Sequence, residues 1–391
     1  MTPVSKRVQA ADDAFRAIAD FYDALAEKRR DGDDVCDFTF GNPNEMPLPP
    51  LVDAIRQRAI PQDERWYAYK SSDEESRAFV AERLSRELSL SFEPEDIVFT
   101  AGAFVAISIA MRLVLDAGDE ALFSEPAWFC YEPMLLAADA VPKKVALKPG
   151  TFDLDFGAID AAITPKTRLV IVNSPHNPTG RIYDADTLRA LADLLDRASE
   201  RIGRRIFLLS DEPYRRLRFD GRDFVSPASI YPWTLISYSY GKVLLAPGQR
   251  LGYLAVSPLM PRSEREPLRD AYFSTAMALG WVFASALMQY TVPDLEDVSV
   301  DIAALTRRRD VMFAALTEAG YEMLMPEGTF YLFGRWPRGA KDPWRALADR
   351  GVYVLAGATM NVPDYFRICL TATDDMVARA LPVFREIAQS A

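Results

Sequence analysis

The chain has 391 residues, of which 49% are hydrophobic and 26% charged, as in ordinary globular proteins, so extensive disorder is not expected. Because 56 acidic residues outnumber 45 basic ones, the formal net charge is −11, which disfavours binding to nucleic acid or to anionic membrane surfaces. Three widely spaced cysteines and a single histidine exclude a disulfide framework and a His-rich metal centre; we predict no metal site and a reducing, cytoplasmic location.

The predicted elements begin with an amphipathic helix near the N-terminus. Its apolar residues recur at helical spacing, namely Phe15, Ile18, Phe21, Tyr22 and Leu25. A polar segment rich in Pro and Asn follows, and then helices over about 51–59 and 74–90. No signal-peptide pattern precedes them.

Short β-rich runs alternate with helical segments between residues 96 and 256. The runs are VFT, ALF, LVIV, IFLL and LISYS. Runs with so few charges are typical of strands buried on both faces, which predicts a mostly parallel central sheet covered by helices.

The pattern changes after about residue 295 to a long helix (302–319) and three short strands, around GTFYLFGRW, VYVLAG and YFRICLT. We therefore expect a large α/β domain over 41–294. A smaller α+β domain would combine the N-terminal helix and arm (1–40) with residues 295–391.

A stretch without charges lies between Asp270 and Asp294 and is long enough to span a bilayer. It is, however, rich in Ala, Ser and Thr, and acidic residues border it on both sides. We interpret it as a buried core helix or a dimer-interface helix.

Chemically active side chains follow the predicted strands, where ligands bind in open α/β sheets. Lys242 follows one strand, and a lysine at a buried strand end suits Schiff-base chemistry because burial disfavours its ammonium form. Asp211 ends another strand and needs a cationic partner, which a protonated pyridine nitrogen would supply. Gly102 opens a helix, a natural phosphate seat that Ser239 and Arg250 would complete.

Four motifs occur in order: NSPHNPTG (173–180), SDEPY (210–214), SYSYGK with PGQRLGY (237–253), and YFRI (365–368). With these motifs the chain resembles the fold-type I pyridoxal 5′-phosphate (PLP) enzymes, specifically the aspartate-aminotransferase-like class I/II family. The resemblance covers about residues 35–375. It implies PLP as cofactor and amino and keto acids as substrates.

The resemblance also implies roles around the cofactor ring. Lys242 would form the Schiff base with PLP and then move the proton between the substrate Cα and the cofactor C4′. Asp211 would keep the pyridine nitrogen protonated, and Asn177 and Tyr214 would hydrogen-bond the 3′ oxygen. Trp128 would stack on the ring.

The remaining implied contacts concern the phosphate, the partner subunit and the substrate. The phosphate would be bound by Gly102, Ala103, Ser239 and Arg250. Tyr67 would reach the phosphate of the partner in a homodimer, with Tyr69 as the competing candidate. The α-carboxylate of the substrate would be held by Arg367, Asn177 and the backbone near Gly41.

The sequence departs from the family pattern at two positions, since Gly241 stands where serine usually precedes the lysine and Ser72 where a glycine is usual. The lone His176 lies in a Pro-bounded loop, and we assign it no catalytic role. Phe330 and Tyr331 line the substrate pocket in one interpretation and pack in the core in the other.

An aminotransferase is the first hypothesis for the reaction. A β-lyase or synthase and an oxygen-dependent amino-acid oxidase are alternatives, because cofactor motifs do not separate them. A PLP-dependent transcriptional sensor is disfavoured by the acidic charge. The charge-free run supplies no cation for a second carboxylate, which favours a neutral, aromatic or cationic amino acid as substrate.

Overall fold

The computed structural model describes residues 3–28 and 35–390. Its helices are α1 (Lys6–Ala14), α2 (Arg16–Lys28), α3 (Pro49–Arg58), α4 (Glu74–Leu88), α5 (Ala103–Val114), α6 (Tyr131–Ala137), α7 (Phe156–Ala162), α8 (Ala185–Ile202), α9 (Tyr240–Val243), α10 (Arg262–Leu279), α11 (Ala286–Tyr290), α12 (Val292–Leu295), α13 (Ile302–Glu318), α14 (Pro343–Ala348) and α15 (Asp374–Gln389). Its strands are β1 (Cys36–Phe38), β2 (Ile97–Thr100), β3 (Glu120–Glu125), β4 (Val141–Ala146), β5 (Thr167–Asn173), β6 (Phe207–Asp211), β7 (Thr234–Ser239), β8 (Gly252–Val256), β9 (Glu322–Leu324), β10 (Tyr331–Arg335), β11 (Val352–Ala356) and β12 (Tyr365–Cys369).

The larger sheet has seven strands in the order β2-β8-β7-β6-β5-β3-β4. All neighbouring pairs from β7 to β4 are parallel, and β8 runs antiparallel to both β2 and β7. Alternate side chains of β5 enter two different cores: Leu169 and Ile171 pack with α5, whereas Val170 and Val172 pack with α8. The predicted mostly parallel sheet, buried on both faces, is therefore confirmed.

The smaller sheet has five strands in the order β1-β11-β12-β10-β9. β1, from the N-terminal segment, pairs in parallel with β11, while the remaining pairs are antiparallel. The N-terminal and C-terminal segments thus build one sheet together. The exact domain boundaries stay a prediction.

Two predicted helices are interrupted. The N-terminal helix is divided at Phe15 into α1 and α2, and only its second part buries apolar side chains. The charge-free run is not one helix either. α10 ends at Leu279, the following Gly280 has a left-handed backbone conformation (φ 75°), and a short segment without helical structure leads to α11. None of the helices in the described residues combines the length and apolar character that crossing a bilayer requires.

Candidate active site

A cavity of about 220 Å³ lies where the parallel strands of the larger sheet end. Ten of the residues singled out in the sequence line it: Gly41, Ala103, Trp128, Asn177, Asp211, Tyr214, Ser239, Lys242, Arg250 and Arg367. They come from loops and strands of both sheets, because β12 and the segment after β1 close the cavity opposite the strand ends. Gly102 adjoins the cavity, and Tyr67 does not line it.

Asp211 is the last residue of β6 and is buried. Tyr131 Oη donates to Asp211 Oδ2 at 2.5 Å, and Ser237 Oγ donates to Oδ1 at 2.6 Å. Burial raises the pKa of the Asp211 carboxyl group, and these two hydrogen bonds oppose that rise. Both partners are neutral, so the carboxylate fits a cationic group that arrives with a ligand.

Lys242 lies in α9, directly after β7. Its Nζ is 5.7 Å from the centre of the Tyr214 ring and 5.9 Å from that of Phe330. Close packing explains the glycine at position 241, because a Cβ there would lie 3.1 Å from Cα of Pro247. Glycine therefore lets the 246–247 segment approach the lysine-bearing turn closely.

The N-terminus of α5 borders the cavity. Gly102 caps this helix with φ 83°, a left-handed conformation that glycine adopts without strain. The Arg250 guanidinium lies over it and donates from Nη2 to the carbonyl of Ala101 at 2.9 Å. With Ser239 at the end of β7, a helix N-terminus, an arginine and a hydroxyl converge, which is the donor set that phosphate groups require.

Arg367 forms the opposite end of the cavity. Its Nη1 donates to Asn177 Oδ1 and its Nη2 to the carbonyl of Thr39, both at 2.8 Å. Its Nε is buried and has no hydrogen-bond partner within the described residues, and no carboxylate there forms an ion pair with it. A buried, unneutralised guanidinium is suited to receive the carboxylate of a ligand.

Aromatic side chains fill the space between these two ends. Trp128 packs edge-to-face against Phe104, with ring centres 4.6 Å apart, and against Tyr131 at 5.3 Å. Tyr214 is buried, which raises its pKa well above 10, and its hydroxyl lies 3.1 Å from that of Tyr331.

Two conspicuous residues lie outside the cavity. Tyr67 is 63% exposed, and its hydroxyl donates to the carbonyl of Ala59. His176 is buried beside Thr179, with Nδ1 and Oγ1 2.8 Å apart, and burial lowers its pKa to about 3. His176 is therefore neutral and buried outside the cavity, which agrees with the prediction that it has no catalytic role.

The sequence analysis missed two contacts of Asp211, namely Tyr131 and Ser237. A signal for each was present: Tyr131 follows Trp128 by about one helical turn, and Ser237 precedes Ser239 by two residues on the same face of β7. Tyr331 was left between two interpretations, and its ring and hydroxyl both belong to the site.

Known proteins resemble this chain in sequence and in structure. The sequence profile of the family "Aminotransferase class I and II" matches residues 33–384. The aspartate/prephenate aminotransferase of Thermus thermophilus is 31% identical over 99% of both chains. Among solved structures, an amino transferase from Eubacterium rectale has a TM-score of 0.86 at 30% identity over 99% of this chain and 96% of its own. A Thermus thermophilus aspartate aminotransferase with maleate has a TM-score of 0.84 at 26% identity over 99% and 100%.

The fold and the cavity define a PLP-dependent enzyme of fold type I. More particularly, the chain belongs to the class I and II aminotransferases. The fold class, the aminotransferase activity and the PLP cofactor that the sequence predicted are therefore confirmed.

Proposed function

We propose that this aminotransferase moves the amino group of an α-amino acid with a neutral, aromatic or cationic side chain to an α-keto acid, in two half-reactions at one cavity. The observation that supports the proposal is the cavity itself, because Lys242, Asp211 and Arg367 all line it. A lysine, a carboxylate without a cation and a cation without a carboxylate are the groups that the two half-reactions need.

The cavity residues suit PLP in a single orientation. The Asp211 carboxylate would pair with the protonated pyridine nitrogen. Its present partners, the hydroxyls of Tyr131 and Ser237, are neutral and so do not neutralise its charge. Gly102, Ala103, Ser239 and Arg250 would hold the phosphate. Once bound, PLP supplies an electron sink that stabilises negative charge at the substrate Cα.

The ring of the cofactor would lie beside Trp128, and Asn177 and Tyr214 would hydrogen-bond its 3′ oxygen. Lys242 would hold the cofactor through Nζ. It would then move the proton between the substrate Cα and the cofactor C4′. Its position on the short helix α9, directly after β7, brings the side chain into the cavity.

Arg367 would bind the α-carboxylate of the substrate through the guanidinium N–H groups that its bonds to Asn177 and Thr39 leave unused. Asn177, already bonded to Arg367 Nη1, and the backbone near Gly41 would complete this contact. A Cβ at Gly41 would lie 2.7 Å from the Phe330 ring, so this backbone approaches the site as only glycine can.

The lining of the cavity supports the proposed substrate class. Its aromatic residues are Phe40, Phe104, Trp128, Phe129, Tyr214 and Tyr331. The cations that line it in the described part of the chain are Lys242, Arg250 and Arg367, and each already has a role. A second substrate carboxylate would need a further cation, whereas the aromatic lining suits an apolar or aromatic side chain.

The substrate proposal is tested by absorption spectra of the purified holoenzyme as single amino acids are added without a keto acid. We expect a neutral or aromatic amino acid to convert the visible band of the bound cofactor to a near-ultraviolet band, and a keto acid to restore it. Lys242→Ala abolishes the conversion, whereas Lys148→Ala, at an exposed position outside the cavity, preserves it.

Faster conversion by aspartate or glutamate than by every other amino acid would show that the substrate class is wrong. Release of ammonia, or consumption of oxygen, without restoration by a keto acid would instead support the lyase or oxidase alternative.

We further propose a homodimer with shared active sites, located in the cytoplasm. An exposed apolar surface supports the dimer; it comprises Tyr67, Tyr69, Phe273, Met277, Trp281 and Phe283, which are 45–87% exposed in the single chain. Tyr69 and Phe283 pack together, with ring centres 4.8 Å apart. A patch of this kind marks an interaction surface.

A further inference from the structure

Tyr331 contacts two side chains of the proposed reaction site, Tyr214 and the carboxylate-binding Arg367. It is the first residue of β10 and is 3% exposed. Arg367 on β12 lies directly opposite Phe333 on β10. Tyr331 is two residues before Phe333, so its side chain lies on the same face of the sheet as those of Phe333 and Arg367. The sheet therefore fixes the distance between Tyr331 and Arg367.

The ring of Tyr331 supports the guanidinium of Arg367. The guanidinium carbon lies 3.9 Å from the ring centre, within the range of a close cation–π contact. Nη1 and Nη2 of Arg367 each donate one N–H, to Asn177 and to the Thr39 carbonyl, and together with the ring these bonds hold the guanidinium in one orientation. The ring thus fixes the plane in which a carboxylate would be bound.

The hydroxyl of Tyr331 contacts Tyr214. The two oxygens are 3.1 Å apart and both are buried. A hydroxyl donates one proton, so if Tyr331 donates to Tyr214, the proton of Tyr214 remains available for an acceptor in the cavity. In the proposed function this acceptor is the 3′ oxygen of PLP.

We propose that Tyr331 is a positioning residue with two separable actions, its hydroxyl orienting Tyr214 toward the cofactor and its ring orienting Arg367 toward the substrate carboxylate. This inference rests on the proposed roles of Tyr214 and Arg367. Because one action uses only the oxygen and the other only the ring, two substitutions at the same position separate them.

The test uses the holoenzyme and two equilibrium constants that need no turnover. PLP retention is measured by equilibrium dialysis, and binding of propionate, a carboxylate without an amino group, by its effect on the visible band. Tyr331→Phe is expected to weaken PLP binding about three- to tenfold, the effect of one neutral hydrogen bond, and to change propionate binding less than about twofold. Tyr331→Leu is expected to weaken PLP equally and propionate about fivefold or more as well.

Tyr231→Phe is the matched control. It also removes a buried tyrosine hydroxyl, bonded to the Ile206 carbonyl at 2.6 Å, but it lies away from the cavity. Both constants should stay at the wild-type values. Tyr331→Met provides a second side chain without a ring if the leucine variant does not fold.

The inference is overturned if Tyr331→Phe and Tyr331→Leu weaken propionate binding equally, or if neither variant affects PLP. Failure of the proposed role of Arg367 looks different, because the wild-type protein itself would then bind no propionate at the cavity.

Discussion

At the scale of single residues, the site depends on neutral groups that hold charged ones. Tyr131 exemplifies this: it donates to Asp211 and packs edge-to-face against Trp128, so one side chain orients both the buried carboxylate and the aromatic ring beside it. The sequence pointed to Asp211 and Trp128 but not to the side chain between them, because a contact over 80 positions has no local signature.

We predict that Tyr131→Phe lowers kcat by about tenfold and weakens PLP retention, since a hydrogen bond to a charged group contributes about 1.5–3 kcal/mol. The loss also removes an interaction that lowers the pKa of Asp211, so a smaller fraction of that carboxyl would be ionised to pair with the cofactor. The measurement is steady-state kinetics together with dialysis.

The control for this variant is Tyr183→Phe, another buried tyrosine, whose Oη lies 3.5 Å from the Phe152 carbonyl outside the cavity. Wild-type kinetics and retention in Tyr131→Phe, with the control unchanged, would refute the supporting role of Tyr131.

At the scale of elements, strand ends and one helix N-terminus determine the chemistry. The parallel order of β7, β6 and β5 brings Ser239, Asp211 and Asn173 to the same edge of the sheet. That outcome was predictable, because short β-rich runs indicate buried parallel strands, whose carboxyl ends meet at one edge. The breaks in the N-terminal helix and in the charge-free run were not predictable from periodicity.

We predict that Gly102→Ala weakens PLP binding by about tenfold or more. A Cβ at this position would lie 2.9 Å from Arg250 Nη2, and the added side chain would also strain the left-handed backbone. The matched control is Gly118→Ala, which has nearly the same φ of 84° but nothing within 4 Å of the added Cβ.

Both glycine variants should lose about 1 kcal/mol of unfolding free energy from backbone strain, and only Gly102→Ala should lose PLP affinity. Chemical denaturation and dialysis separate the two effects. Equal PLP affinity in the two variants would contradict a phosphate site at α5.

At the scale of the whole molecule, the two sheets meet at the cavity, so Arg367 reaches Asn177 across 190 positions of the chain. Tyr67 and Trp281 are exposed in the single chain. We expect a second copy of the chain to cover them in a dimer.

We predict that the protein is a dimer in light scattering and that Tyr67→Phe weakens PLP retention while the dimer persists. The reason is that the proposed hydroxyl contact to the phosphate in the partner's site would be lost. Tyr69→Phe is the control, since this neighbouring tyrosine is the competing candidate. A fully active monomer would refute shared active sites. A larger loss of PLP retention in Tyr69→Phe than in Tyr67→Phe would assign the phosphate contact to Tyr69 instead of Tyr67.

Hydrophobic periodicity in the sequence by itself predicted the fold class, because it is a local property. Four short motifs, through their resemblance to a known family, predicted the cofactor and the residues Lys242, Asp211 and Arg250. The sequence also excluded classes of protein through its charge. Only the tertiary structure decided that Tyr131 and Ser237 hold Asp211, that Tyr331 lies between Tyr214 and Arg367, and that Gly241 allows a close backbone contact. These contacts join residues distant in the chain, and which of them meet depends on how two sheets pack rather than on any single segment.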